Sequence, residues 1–184
     1  MKKLLVLLLT GIGVSAFAQE TTMPELPKNE EGKVVYQEVV EVPGVKADAL
    51  YDRVYSWLDN HFNGFAAKVL NSSKTDGVIE FRDKMSRFKK VKKGKTETKM
   101  SAGYIQYNCK IDIKDGKMRY TINDIVSLEP GAPGIETYYD TTNTFYDELN
   151  WPYYLQQVKD YMDALTKGLR EEAVAAPEED KDDW

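Results

Sequence analysis

The strongest constraint on the fold is a pair of alternating segments around one tight turn. In residues 104–113, Ile105, Tyr107, Cys109, Ile111 and Ile113 share one phase, with Gln106, Asn108, Lys110 and Asp112 between them. A β-strand sends successive side chains to opposite faces, so this spacing predicts a strand with one apolar and one wet face. Asp115-Gly116 follows, a dipeptide that tolerates the positive backbone angles of a two-residue hairpin turn. Residues 118–128 return with Tyr120, Ile122, Val126 and Leu128 on one phase, interrupted at Asp124. An antiparallel hairpin with one apolar face needs a second layer to cover it.

Two segments supply that cover. Residues 46–62 carry Leu50, Val54, Trp57, Leu58 and His61 at helical spacing, with Asp48 in the first turn, where the helix dipole favours an acid. Asn63-Gly64 is the expected stop. Residues 152–172 open on Pro152, which suits a first helical turn, and carry a stripe of Leu155, Val158, Tyr161, Met162, Leu165 and Leu169. Three more strands are expected: the valine-rich 33–42 ended by Pro43-Gly44, a short one at 65–70, and one at 78–88. Residues 127–150 read as a long connection. The order is strand, helix, four strands, helix. It predicts an α+β two-layer sandwich, an antiparallel five-stranded sheet with two helices on one face.

Residues 33–172 form this single domain, and both ends read as appendages. Lys2 and Lys3 precede an apolar run at 4–14, and Ala16-Phe17-Ala18 places small residues before a cut between Ala18 and Gln19. That is the pattern of a secretory signal peptide, residues 1–18, shorter than the roughly 20 apolar residues of a membrane span. Residues 19–32 read as a flexible lead-in and 173–184 as an acidic, disordered tail. The expected destination is the periplasm or the cell exterior. Removing Lys2 and Lys3 from 25 basic residues leaves 23 against 30 acidic ones. Seven of those acids lie between Glu171 and Asp183, so local clusters say more than the net charge.

Composition excludes several chemistries. One Cys cannot build an intrachain disulfide framework, and one Cys with one His cannot make a His/Cys zinc site. A nucleophilic triad would have to use His61, which reads as a packed or helix-capping residue. Cys109 shares the inward phase and reads as a buried thiol. There is no phosphate-cradling glycine loop or dinucleotide fingerprint, and residues 112–116 lack the terminal Glu of a calcium loop. No carboxylate pair stands out, and Asp124 is the acid to inspect first. No cofactor or metal is expected.

Two clusters and one motif are candidate sites. Arg82, Lys84, Arg87, Lys89, Lys90, Lys92, Lys93 and Lys95 fall at the end of a strand and in a turn near Gly94, against one acid, Asp83. They read either as a cationic hairpin tip for an acidic partner or as a lysine-guarded sheet edge. The partner could be a lipopolysaccharide phosphate, an anionic polymer or glycan, a nucleic acid, an envelope protein, or the acidic tail of another copy. Tyr138, Tyr139, Phe145, Tyr146, Trp151, Tyr153 and Tyr154 either form an exposed platform or fasten the long connection to the body. Asp140-Thr141-Thr142 resembles a short O-glycosylation acceptor of exported proteins, with Thr141 as the acceptor.

Val39-Val40-Glu41-Val42-Pro43-Gly44-Val45, running into Leu50-Tyr51-Asp52-Arg53 and Trp57-Leu58, resembles the opening of a secreted bacterial family of unknown function. Asp76-Gly77-Val78-Ile79 adds to the likeness, which covers about residues 34–125. The family is described as having a TATA-binding-protein-like fold and occurs in Gram-negative gut bacteria. Its members often place a serine or lysine-serine cap before the helix, where this chain has Lys46-Ala47-Asp48. The resemblance implies the fold and secretion. It implies no reaction and no DNA role, because a fold does not carry a function with it. The expectation is an exported, non-enzymatic binding or accessory module. The alternatives are an oligomerising envelope subunit and, third, a carboxylate-based hydrolase.

Overall fold

The computed structural model describes residues 22–128 and 134–175. The expected cut between Ala18 and Gln19 and the tail from 176 onward lie outside the described residues. The elements are β1 (Tyr36–Glu41), α1 (Ala47–His61), β2 (Val69–Ser73), β3 (Val78–Lys93), β4 (Thr96–Lys114), β5 (Lys117–Ser127) and α2 (Trp151–Val174). The strands form one antiparallel sheet in the order β1-β5-β4-β3-β2. Both helices cover the same face, α1 against β4 and α2 against β3 and β1, and they touch each other. This is the α+β sandwich expected from the alternation.

The core sits between the layers. Ile105, Tyr107, Cys109, Ile111 and Ile113 are all buried, as their shared phase predicts. They meet Leu50, Val54 and Leu58 of α1 and Leu155, Val158, Met162, Leu165 and Leu169 of α2. The opposite sheet face is wet and laced with pairs. Arg82 Nε donates to Asn108 Oδ1 at 2.8 Å, and Asn108 Nδ2 donates to Asp124 Oδ2 at 2.8 Å. Arg119 pairs with Asp112 at 2.7 Å.

Five expectations are corrected. Residues 65–70 do not form one strand: Phe65–Ala67 is a 3-10 turn, and the strand is β2, starting at Val69. Phe65 is fully buried among Phe62 and Phe81, so packing of its ring overrides the extended reading. In β5 the phase breaks at Asp124, whose φ is 51°, where β5 spends one residue more than β4 across the register shift. That bulge turns Ile125 and Ser127 inward and leaves Val126 and Leu128 outside. β3 and β4 run well past the expected 88 and 104, so the basic turn tops a long hairpin arm. The described part of the lead-in is held, not loose: Leu26 is buried, its N–H donates to Tyr139 Oη at 3.1 Å, and that hydroxyl donates to the Pro24 carbonyl at 2.7 Å. Finally, α2 continues to Val174, two residues into the stretch read as tail.

Candidate functional site

The candidate interface is the outer half of the β3–β4 hairpin. β2 leaves β3 at Phe81, and β5 leaves β4 at Ile105. Beyond those points the two long strands pair only with each other among the described strands. The register runs Phe88 with Ser101, Lys89 with Met100, Lys90 with Lys99, Val91 with Thr98, Lys92 with Glu97 and Lys93 with Thr96. Gly94 turns the chain at φ 62°.

The eight basic residues separate into three places. Arg82 and Lys84 lie on the wet sheet face, with Arg82 on Asn108 and the Lys84 ammonium 4.5 Å from the centre of the Tyr104 ring. Lys89, Lys90, Lys92, Lys93 and Lys95 ride the arm. Arg87 belongs to neither, which corrects its place in the exposed run. It is only 2% exposed, on the inward phase of Ile79, Phe81 and Met85. Its Nε and Nη2 donate to the Ala102 carbonyl at 2.8 and 2.6 Å, and its Nη1 donates to Ser127 Oγ at 3.0 Å and Tyr138 Oη at 2.6 Å. The guanidinium also stacks 4.5 Å over the Tyr154 ring. A buried cation is tolerable only with such a set of partners. Arg87 therefore roots the arm in the core.

Two amides cap the open edge of β3 at Phe88 and Lys90. Gln157 Oε1 accepts the Phe88 N–H at 2.9 Å, and its Nε2 donates to the Phe88 carbonyl at 2.8 Å. Asn150 repeats the arrangement at Lys90, accepting the N–H at 2.7 Å and donating to the carbonyl at 3.3 Å. Asn150 stands at the start of α2 and Gln157 two turns later, so the helix is buttoned to the arm.

Beside this seam lies an open groove of about 570 Å³, walled by Met85, Ser86, Phe88, Lys99, Tyr153, Gln157, Asp160 and Tyr161. Lys90 and Lys99 place their ammonium groups 4.9 and 5.8 Å from the centre of the Tyr153 ring. At the groove's inner end, the Tyr161 and Tyr107 hydroxyls are 3.0 Å apart. Tyr107 reaches Asp83, whose other oxygen holds the Lys68 ammonium at 2.5 Å. Burial pushes the Tyr107 and Tyr161 phenols up, so both stay protonated as hydrogen-bonding groups.

Elsewhere the candidates have other tasks. Tyr138, Trp151 and Tyr154 are buried against one another, Tyr138 lying 5.0 Å from Trp151 and 5.8 Å from Tyr154. Tyr146 packs edge-on to Trp151, and Tyr139 holds the lead-in. The rings fasten the long connection, and the exposed-platform reading of Tyr138, Tyr139, Tyr146 and Trp151 does not fit their packing. Thr141 is exposed, in a turn where Asp140 accepts both the N–H and the hydroxyl of Thr142. His61 stacks on Trp57 at 4.5 Å at the end of α1, and Cys109 is buried with its thiol pushed up by desolvation. Among the described residues no cluster of three or more His, Cys, Asp or Glu side chains is placed to hold a metal. Nor is any described helix long and apolar enough to cross a membrane.

The sequence shows Asp83 only as the one acid of the basic run, not as the buried partner of Tyr107 and Lys68, and it does not single out Asn150 or Gln157. Asp83 and Arg87 sit on the odd-numbered phase with Ile79, Phe81 and Met85, and that phase was the available signal. The seam partners of Asn150 and Gln157 are backbone groups 60 and 69 residues away, so the seam is not marked locally, although Asn150 also bonds Asp147 and Gln157 also donates to the Tyr153 carbonyl.

No curated protein matches this chain. Among solved structures, it is similar to a DUF4468 family protein from Bacteroides ovatus, with a TM-score of 0.58 and 15% identity, over 85% of this chain and 93% of that one. It is also similar to a TBP-like protein from Parabacteroides distasonis, with a TM-score of 0.51 and 17% identity, over 78% and 96% of the two chains. At these identities the likeness carries the fold alone. The sequence profile of DUF4468, a domain of unknown function with a TBP-like fold, matches residues 36–127, and the chain belongs to that family.

Proposed function

We propose that the chain is an exported, non-enzymatic binding module that holds an anionic partner on the hairpin arm. One observation carries this reading. Among the described residues, Lys89, Lys92, Lys93 and Lys95 have no carboxylate within ion-pair distance, whereas Lys90 pairs with Glu97 at 3.5 Å. The competing role, a lysine guard on an open sheet edge, is weaker on the β3 side, where Gln157 and Asn150 occupy the edge at Phe88 and Lys90. Lysine is a point charge on a flexible stem, so four of them on a rooted arm suit a polyanion better than a single bidentate phosphate.

The test is a salt gradient on immobilised heparin. Replacing Lys89, Lys92, Lys93 and Lys95 with Gln should move elution to clearly lower salt, because each lost contact reduces counterion release. Replacing Arg82 and Lys84 with Gln should move it little. Equal elution of wild type and the arm variant overturns the reading. Intact mass of the exported protein checks export and Thr141 together: a chain beginning at Gln19 supports the signal peptide, and added hexose mass lost in Thr141→Ala supports glycosylation.

A further inference from the structure

We infer that the arm's partner is the acidic segment 178–183 of a second copy of this chain. The inference rests on the reading of the arm as an anion-binding surface. The segment carries Glu178, Glu179, Asp180, Asp182 and Asp183 against Lys181, and Trp184 follows it. The arm offers the opposite charge on Lys89, Lys92, Lys93 and Lys95, beside a mostly apolar groove walled by Met85, Phe88 and Tyr153, with Lys99 and Asp160 also in its lining. Acids followed by an indole thus match lysines beside an aromatic-walled groove.

Geometry keeps the two halves apart within one chain. Asn150 fixes the start of α2 to Lys90 of the arm. The 24 residues of α2 then run about 36 Å, at 1.5 Å per residue, away from that point. At the far end Arg53 Nη1 donates to the carbonyls of Ala173 and Ala175 at 2.9 and 2.6 Å, pinning the place where the chain leaves the helix. The eight residues from there to Asp183 extend at most about 28 Å. Lys89 sits beside Phe88, within reach of the same chain's tail, but Lys92, Lys93 and Lys95 lie further out along the arm than Lys90, beyond the start of α2. The chain's own acids fall short of those three lysines, and another copy can present acids there. The contact is therefore intermolecular, stronger at higher protein concentration and weaker in salt.

The test is sedimentation velocity on the full chain and two variants. One variant ends at Ala175 and lacks the acids. The other carries Lys89→Gln, Lys92→Gln, Lys93→Gln and Lys95→Gln. Wild type should sediment faster as concentration rises at low salt and lose that rise at high salt. Each variant alone should stay monomeric, and their equimolar mixture should form a complex, since one supplies the arm and the other the acids. A wild type that is monomeric throughout, association that survives loss of the acids, or a mixture without a complex overturns the inference. Heparin elution of the variant ending at Ala175 separates the two claims. If it is retained through the arm while wild type stays monomeric, the anion-binding reading stands and the second copy is excluded. If it is not retained, the parent reading falls as well.

Discussion

Arg87 shows how a single residue can look like surface and serve as core. Lysines lie close on either side of it in sequence, yet its guanidinium is buried and holds Ala102, Ser127 and Tyr138. Arg87→Met keeps the volume and strands three polar groups. Each buried unpaired group costs about 1–3 kcal/mol, so the variant should lose about 3 kcal/mol or more in urea unfolding. Arg87→Gln should recover only part of that, because an amide cannot bridge all three partners. A loss under about 0.5 kcal/mol, typical of a surface change, would contradict this account. A second contrast isolates steric cost from backbone cost. Gly77 and Gly94 both have φ near 60°, at 63° and 62°. A Cβ on Gly77 would run into the Ile113 carbonyl oxygen, and a Cβ on Gly94 meets nothing within 4 Å. Gly94→Ala should cost about 1–2 kcal/mol, the left-handed penalty alone. Gly77→Ala should cost several kcal/mol more by the same urea measurement, because the obstacle is backbone. Equal losses would mean that the β3–β4 approach relaxes freely.

At the scale of elements, the arm depends on the helix it is buttoned to. The Gln157 side chain is the hydrogen-bond partner of both backbone groups of Phe88. Gln157→Ala should speed amide exchange at Phe88 markedly, leave Ile79 unchanged, and cost about 1 kcal/mol overall, the net worth of such bonds. Unchanged exchange at Phe88 would mean that the amide seam does not protect the edge. The same elements show what sequence can and cannot reveal. The β4–β5 hairpin and both helices were legible because period-2 and period-3.6 patterns are local consequences of one-sided burial. Val126 and Leu128 were misplaced because one positive-φ residue, Asp124, reverses a phase without any change in composition. In the sequence the outer arm looks like only a strand end and a turn, because residues such as Lys92, Lys93 and Thr96 pair across the hairpin with no apolar face to betray a period. Of the candidate site, the arm lysines were visible as charge. The Asn150–Gln157 seam and the groove were not, since both arise from contacts between distant segments.

At the scale of the whole molecule, titration behaviour follows from where the ionisable groups were placed. Burial raises the Asp112 carboxyl, but the Arg119 guanidinium and Lys110 ammonium outweigh it and hold the group below the usual carboxylate range. Lys46 and the Ala47 N–H hold Asp115 down as well. A depressed carboxylate contributes stability above its unfolded pKa, near 3.9, and loses it as pH falls through the folded value. At the other limit, burial pushes the Tyr36, Tyr107 and Tyr120 phenols up. Each stays protonated in the fold while its unfolded counterpart titrates near 10, so that stability is complete below about pH 10 and is lost above it. The thermal midpoint should therefore be flat between about pH 5 and 9 and fall on both sides. Asp112→Asn should flatten the acid limb and leave the alkaline one unchanged; Tyr107→Phe should do the reverse. A step near neutral pH would contradict the scheme, because none of these groups changes charge there in either state.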